Sequence, residues 1–423
     1  MEAELEKIAY VYGDVCVRTK KQRRKRQKLL VIELLYDYAK NSTLHGLRYI
    51  VERGLSTVEK IFWFITVIAS CAICSYYIYN VYQKWITSPV IVSMNEKLSS
   101  VETVPFPSVT ICPQIKVKAT DYNYTEAREK FLDGGLEKSE RSKFYHISAM
   151  CEMGLYRGTF ENVSLVTDIT EVAPTLDDIF FYCNWYNNYS FGCAELFSKV
   201  YTEEGVCYTA NTLASTEIFK NTIQQEYLYL ESNITSKGWS ITSGYDYSLS
   251  KPYPRQGRTL GAEPDLELVL KHDPTHRDTS CNELYSGYKI YLHHPADIPQ
   301  SSLYYYAALS NQLTSLAISF HEFKTDPSLS AYSPDKRQCY FPEDRKLRYF
   351  KIYTMKNCKA ECLTNYTLTL CGCVGFYMPH NDSTQLCGTG FRMCMDDAKN
   401  VMARAEINDK LGVHKVVKEP CRC

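Results

Sequence analysis

Between Lys60 and Lys84 the chain carries no charged side chain. The uncharged stretch Ile61–Gln83 is 23 residues long, enough at about 1.5 Å per residue to cross a hydrocarbon core. A soluble core rarely hides so long an apolar run, so one membrane-spanning helix constrains everything else. Trp63 stands near one end of it, and Tyr76, Tyr77, Tyr79, Tyr82 and Trp85 gather at the other, as rings do at headgroup level. A mean hydropathy of −0.30 speaks against a multi-pass bundle. The run starts at Ile61 and lacks a leader's short apolar core and cleavage site, so it reads as a retained signal-anchor.

Upstream, Arg18–Lys28 holds eight basic residues and no acidic one. The positive-inside rule therefore places residues 1–59 in the cytoplasm and everything after about residue 83 outside the cell, at the plasma membrane. The run KKQRRKR also fits a nuclear localisation or nucleic-acid patch. Beside a span, topology and attraction to anionic lipid explain it more simply. The chain as a whole has 48 Lys+Arg against 48 Asp+Glu, which leaves no bulk positive field, and no nucleic-acid partner is expected.

The cysteines and sequons agree with this topology. Of 18 Cys, only Cys16, Cys71 and Cys74 precede or lie within the span, leaving fifteen where oxidation is allowed. Glycosylation sequons occur outside at Asn123, Asn162, Asn188, Asn233, Asn365 and Asn381. Another, at Asn41, falls on the cytoplasmic side and should stay bare. The stretch VPFPSVTICPQIKV reads as a proline-bounded strand around Cys112, and Glu126–Glu140 as an exposed helix. Residues 236–300, rich in Gly, Pro and Tyr, read as loops and short strands. Leu313, Leu316, Ile318, Phe320 and Phe323 alternate imperfectly and suggest a sheet strand.

The last 85 residues hold nine Cys. Cys358 and Cys362 share one face of a helix, and Cys371 and Cys373 one face of an extended segment. A disulfide ladder stapling a helical hairpin is the expectation. A zinc cluster is the rival, but the compartment is oxidising and the spacings are awkward for zinc, so no metal is expected. Fifteen extracellular thiols cannot all pair within one chain, and the sequence stops at EPCRC directly after a Cys-dense stretch. Either one bond is intermolecular, or the chain is cut short.

Chemistry for an enzyme is missing. The common zinc-protease, hydrolase and nucleotide motifs do not occur, and no cofactor is expected. His293-His294 and His321-Glu322 read as solvated strand or loop pairs whose side chains diverge. Asp177-Asp178 and Asp396-Asp397 read as helix-start or surface charge.

Several motifs in order then resemble one family. Ser42-Thr43-Leu44-His45-Gly46 precedes the span, and Phe106-Pro107-Ser108-Val109-Thr110-Ile111-Cys112 follows it. Later come Arg337-Gln338-Cys339, Tyr353-x₄-Cys358-x₃-Cys362, Cys371-Gly372-Cys373 with Met378-Pro379, and finally Cys421-Arg422-Cys423. Together, over about residues 42–423, they are similar to the degenerin/epithelial sodium channel family, which includes acid-sensing channels. DPSLSAYSPDKRQCYFPEDRKL most resembles its insect pickpocket branch.

The resemblance implies an α+β membrane protein with a transmembrane helix at about 60–83 and a large disulfide-rich ectodomain. A palm β-sheet would lie near Phe106–Val117 and Leu313–Phe323, with finger helices within roughly 120–200. Palm and finger together would fill about 84–338. A helical thumb would occupy about 339–394, and 395–423 would begin a return to the palm. It also implies the pairs Cys112–Cys207, Cys183–Cys193, Cys358–Cys423, Cys362–Cys421, Cys371–Cys394 and Cys373–Cys387, with Cys151 and Cys281 as a branch-specific bond. Cys339 would be left unpaired by truncation, and the family's second transmembrane helix, with its selectivity filter, lies outside this sequence. His45-Gly46 would be the gating motif and Tyr82 the aromatic coupling ectodomain to span. The tryptophan that family members place before the first thumb Cys is replaced here by Lys336 and Arg337.

The implied function is a subunit of a trimeric, amiloride-sensitive sodium channel gated by an extracellular stimulus. Its partners would be the membrane, sodium ions, other channel subunits and an unidentified extracellular ligand. The alternatives are a type II, single-pass, Cys-rich adhesion or receptor ectodomain, and a short dominant-negative channel isoform.

Overall fold

A computed structural model describes residues 29–44, 46–87, 90, 92–94, 99–151, 159–186, 192–258, 263–281, 286–300, 304–411 and 421–423. The chain divides into two units, Met1–Ser93 and Met94–Cys423.

In the first unit, residues 29–41 form helix α1, Leu47–Val51 helix α2 and Thr57–Thr87 helix α3. A capping box starts α3: the Glu59 N–H donates to Ser56 Oγ (3.3 Å), and the Ser56 N–H donates to Glu59 Oε2 (2.8 Å). With 31 residues, α3 is roughly 46 Å long and contains the whole uncharged run. It is the one helix among the described residues long and apolar enough to span a membrane. None of its residues is buried, and Phe64, Ile65, Ile68 and Ile73 are each more than half exposed. Water penalises that arrangement and hydrocarbon does not.

The second unit opens on β1 (Ser108–Pro113), then α4 (Tyr124–Leu132), α5 (Glu140–Cys151), β2 (Phe160–Glu161), α6 (Ser164–Val172) and α7 (Leu176–Ile179). Strand β3 (Phe180–Trp185), helix α8 (Cys193–Leu196), strands β4 (Phe197–Thr202) and β5 (Gly205–Ala210), and helix α9 (Ser215–Ile218) follow. Next are β6 (Trp239–Ser240), β7 (Gly244–Tyr245), β8 (Leu266–Leu270), β9 (Gly287–His293) and β10 (Tyr306–Leu309). Helices α10 (Pro334–Arg337) and α11 (Met355–Cys371), strand β11 (Leu386–Cys387) and helix α12 (Arg392–Lys410) complete the order.

Five strands form one antiparallel sheet in the order β10-β9-β1-β5-β4. β1 is central, with Val109 opposite Ala210 on one side and Leu292 on the other. All six β1 residues are buried. Ile111 faces a cluster containing Tyr124, Phe144, Ile147, Leu165 and Ile169 from α4, α5 and α6. Its neighbour Cys112 faces a second cluster with Phe219, Tyr349, Phe350 and Cys358, as a side-chain period of two requires. Packing on both faces thus makes β1 the sheet's anchor.

Three sequence expectations are corrected. Glu126–Glu140 is not one helix: α4 ends at Leu132 and α5 begins at Glu140. Gly134, at φ +75°, lies in the break, where glycine takes a left-handed turn without strain. Leu313–Phe323 forms no strand, and the sheet's edge is β10 instead. The last β10 residue, Leu309, pairs with Gly287, the first residue of β9, and just beyond it the Ser310 N–H donates to Ser286 O at 3.3 Å. Leu313 is 98% and Phe323 86% exposed. His293 is not solvated. It is buried within β9, with Nε2 2.9 Å from Thr110 Oγ1, and burial lowers its pKa to about 3. Helix α12 spans 19 residues, from Arg392 to Lys410.

Candidate functional site

The turn before the span is built by one glycine. Gly46 has φ +92°, and a Cβ there would sit 3.0 Å from Val67 Cγ2 and 3.2 Å from Trp63 Cε3. Only a residue without a side chain fits both the left-handed backbone and the close approach. α2 then lies along α3, with Tyr49 stacked on Trp63 at 4.7 Å between ring centroids. The segment therefore folds back against the apolar run. His45 falls outside the described residues. Tyr82 lies near the far end of α3, half-exposed, with its ring 6.3 Å from Trp85.

In the second unit the disulfides are Cys112–Cys207, Cys151–Cys281, Cys183–Cys193, Cys358–Cys423, Cys362–Cys421, Cys371–Cys394 and Cys373–Cys387. The last four join α11, α12, β11 and the terminal residues into one stapled hairpin, so these thiols are spent in covalent bonds rather than on zinc. Cys339 is free and half-buried, while Cys71 and Cys74 are free and exposed. Asn123, Asn162, Asn233 and Asn365 are exposed, whereas Asn381 is half-buried. The Asn381 amide donates to Thr222 O (3.1 Å) and accepts from Arg348 Nη2 (2.6 Å). Asn188 lies outside the described residues. Where the resemblance calls for tryptophan, Lys336 is exposed and Arg337 buried. The Arg337 guanidinium pairs with Asp344 and lies 4.7 Å over the Phe341 ring, a local contact that presents no aromatic face.

The hairpin is tied to the sheet by Asn357, which is wholly buried. Thr354 caps α11 by accepting from the Asn357 N–H (3.0 Å). The Asn357 side chain then donates to Ala296 O (2.9 Å) and accepts from the Ile298 N–H (3.2 Å). Gln300 Nε2 donates to Lys356 O at 2.9 Å. The loop leaving β9 is thus clamped to the first turn of α11. Beside it, burial raises the Asp297 pKa and lowers that of His294. Sequence reading missed Asn357; the Thr-x-x-Asn capping spacing just ahead of Cys358 was the available signal.

A second clamp joins α5, α6 and β2. His146 is buried on α5, with Nδ1 2.5 Å from Asp168 Oδ2 and Nε2 3.0 Å from Glu161 Oε2. Burial pulls its pKa down, but the hydrogen bonds and charges of Glu161 and Asp168 outweigh burial, and it titrates above the ordinary histidine value. Burial likewise opposes the Glu161 carboxylate, yet bonds from His146 and Thr159 hold its pKa below normal. β2 pairs with β11, so this clamp reaches the stapled hairpin. Nothing in the local sequence marks His146, because its partners are 15 and 22 residues away.

Comparison with known proteins places these features together. A family model described as "Amiloride-sensitive sodium channel" matches residues 38–423. Pickpocket protein 28 of Drosophila melanogaster is 27% identical over 370 residues, covering 85% of this chain and 58% of that protein. Sodium channel protein Nach of Drosophila ananassae is 22% identical over 395 residues, 87% of this chain and 67% of that one. Acid-sensing ion channel 1C of Danio rerio is 22% identical over 382 residues, 88% and 64%. The chain thus spans less than two thirds of the length of pickpocket protein 28. It belongs to the amiloride-sensitive sodium channel family, a family of ion channels and not of enzymes.

Proposed function

We propose that the protein is a subunit of an amiloride-sensitive sodium channel gated by an extracellular stimulus. The family match over residues 38–423 carries this reading. The α3 span and the re-entrant Gly46 turn support it from the membrane side. In this reading residues 1–59 are cytoplasmic, about 60–83 cross the plasma membrane, and the second unit is extracellular. The five-stranded sheet is the palm, α4 to α6 belong to the finger, and α11 with α12 form the thumb. A stimulus that tilts the thumb would be felt at the palm through Asn357, since the clamp leaves the loop after β9 little freedom to move independently. His45 and Gly46 shape the inner gate, and Tyr82 couples the ectodomain to the span. Subunits associate in threes, with copies of this chain or with other family members. Surface-labelled protein isolated in mild detergent should run as a complex of three subunits; a surface population that is wholly monomeric would favour a single-pass adhesion or receptor protein.

A further inference from the structure

Helix α1 carries an apolar face that stays largely open among the described residues, with Ala39 buried and Tyr36 half-buried near its C-terminal end. Leu29, Leu30, Val31, Ile32, Leu34, Leu35 and Tyr38 are each between 53% and 63% exposed. At about 100° per residue, Glu33, Asp37, Lys40 and Asn41 fall within one narrow sector of the helix. Asn41 Nδ2 donates to Asp37 Oδ1 at 3.0 Å, which fixes that polar stripe. Apart from Leu30, the large apolar side chains occupy the remaining arc. This is the pattern of a helix lying at a lipid–water boundary rather than one dissolved in water.

The chain's path supplies the depth. Gly46, five residues beyond the end of α1, packs against Val67 and Trp63. Val67 is six residues inside the uncharged run that begins at Ile61, roughly 9 Å along the helix axis at 1.5 Å per residue. The guanidinium of Arg53, just ahead of α3, lies 6.0 Å over the ring of Tyr36 in mid-α1. The C-terminal half of α1 is thereby held between the level where the span begins and a level inside its apolar run. Helices at such interfaces sink their apolar faces about 5–10 Å into the headgroup and acyl boundary. The basic run Arg18–Lys28 ends directly before α1, where it would meet anionic headgroups.

We infer that α1 is an interfacial helix whose Val31, Leu34, Leu35 and Tyr38 face docks into the lipid leaflet from which α3 starts, with Glu33 and Asp37 turned to water. The inference rests on α3 crossing the membrane. A lipid-held α1 would anchor the re-entrant turn at its upstream end, so that leaflet composition bears on the placement of Gly46.

The test uses the full chain with Cys16, Cys71, Cys74 and Cys339 changed to Ala and one reporter cysteine carrying an environment-sensitive fluorophore. Vesicles are an equal mixture of phosphatidylcholine and phosphatidylserine, doped with lipids spin-labelled near the headgroup or deep in the acyl chain. Reporters at Leu35→Cys and Tyr38→Cys should be quenched by the shallow label several-fold more than those at Glu33→Cys and Asp37→Cys, and Ile73→Cys should be quenched by the deep label. If Ile73→Cys is quenched while Leu35→Cys and Tyr38→Cys are quenched no more than Asp37→Cys, the inference is overturned. A blue-shifted but unquenched Leu35→Cys signal overturns it in favour of a protein surface covering α1. An unquenched Ile73→Cys instead removes the spanning assignment on which the inference stands.

Discussion

The side-chain amide of Asn357, in the first turn of α11, donates to the carbonyl of Ala296 at 2.9 Å, and through that bond the stapled hairpin holds the loop leaving the sheet. Asn357→Ala leaves the Ala296 carbonyl and the Ile298 N–H unpaired in a buried setting. That change should destabilise the ectodomain by about 1–3 kcal/mol, read as a lower thermal midpoint of the detergent-solubilised protein. An unchanged midpoint would show that the clamp does not hold hairpin and sheet together.

His146 predicts a pH dependence. Its folded-state pKa lies above the ordinary value because Glu161 and Asp168 face both ring nitrogens. A neutral imidazole can donate to only one of them. The stabilisation is therefore complete below the unfolded histidine pKa, about 6.5, and is lost as pH rises through the raised folded value. Glu161 acts oppositely: its depressed pKa gives stability that is lost only as pH falls below the usual carboxylate range. Lys143 pairs with Glu171 at 3.0 Å, and burial pushes the Tyr122 phenol up to about 12. Amide exchange in α5 and α6 should accelerate, beyond the intrinsic pH effect, between mildly acidic and mildly alkaline solution. His146→Gln should abolish that excess; an excess that survives the substitution would assign it elsewhere.

At the re-entrant turn, Gly46→Ala adds left-handed backbone strain of roughly 1–2 kcal/mol to a 3.0 Å encounter with Val67. Sodium current should fall while surface expression holds. Val67→Ala in the same chain should restore part of it, since it relieves the encounter and leaves the backbone term. Equal currents from Gly46→Ala and the native protein would remove the turn from gating.

Glycan placement follows from which amides are free. Asn233 and Asn365 are exposed, whereas the Asn381 amide is held between Thr222 and Arg348. Glycopeptide mapping of cell-surface protein should find sugar on Asn233 and Asn365 and none on Asn381. A fully occupied Asn381 would contradict the packing of that loop.

What the sequence disclosed, and what it hid, divides by range. β1 was legible because prolines bracket a β-branched run, and α3 because no other fold tolerates its composition. Leu313–Phe323 misled because alternation describes a face, while a strand also needs an edge to pair with, and the pairing of β10 with β9 ends at Leu309 and Gly287. His293 was misjudged because its burial comes from Thr110 and its neighbours, 183 residues away. Cys358 and Cys362 stand one helical turn apart on α11, yet bond to Cys423 and Cys421, partners that spacing alone does not choose. Both clamps, at Asn357 and His146, depend on contacts of that kind, which local pattern cannot express.

The sodium-channel assignment is tested most directly by voltage clamp of cells expressing the protein from its own transcript, alone and together with a pickpocket relative, with surface biotinylation in parallel. The account predicts an inward current that disappears when external sodium is replaced by a large organic cation, is blocked by amiloride, and reverses at potentials that follow the sodium gradient. Abundant surface protein with no sodium-dependent, amiloride-sensitive current in any combination would contradict it.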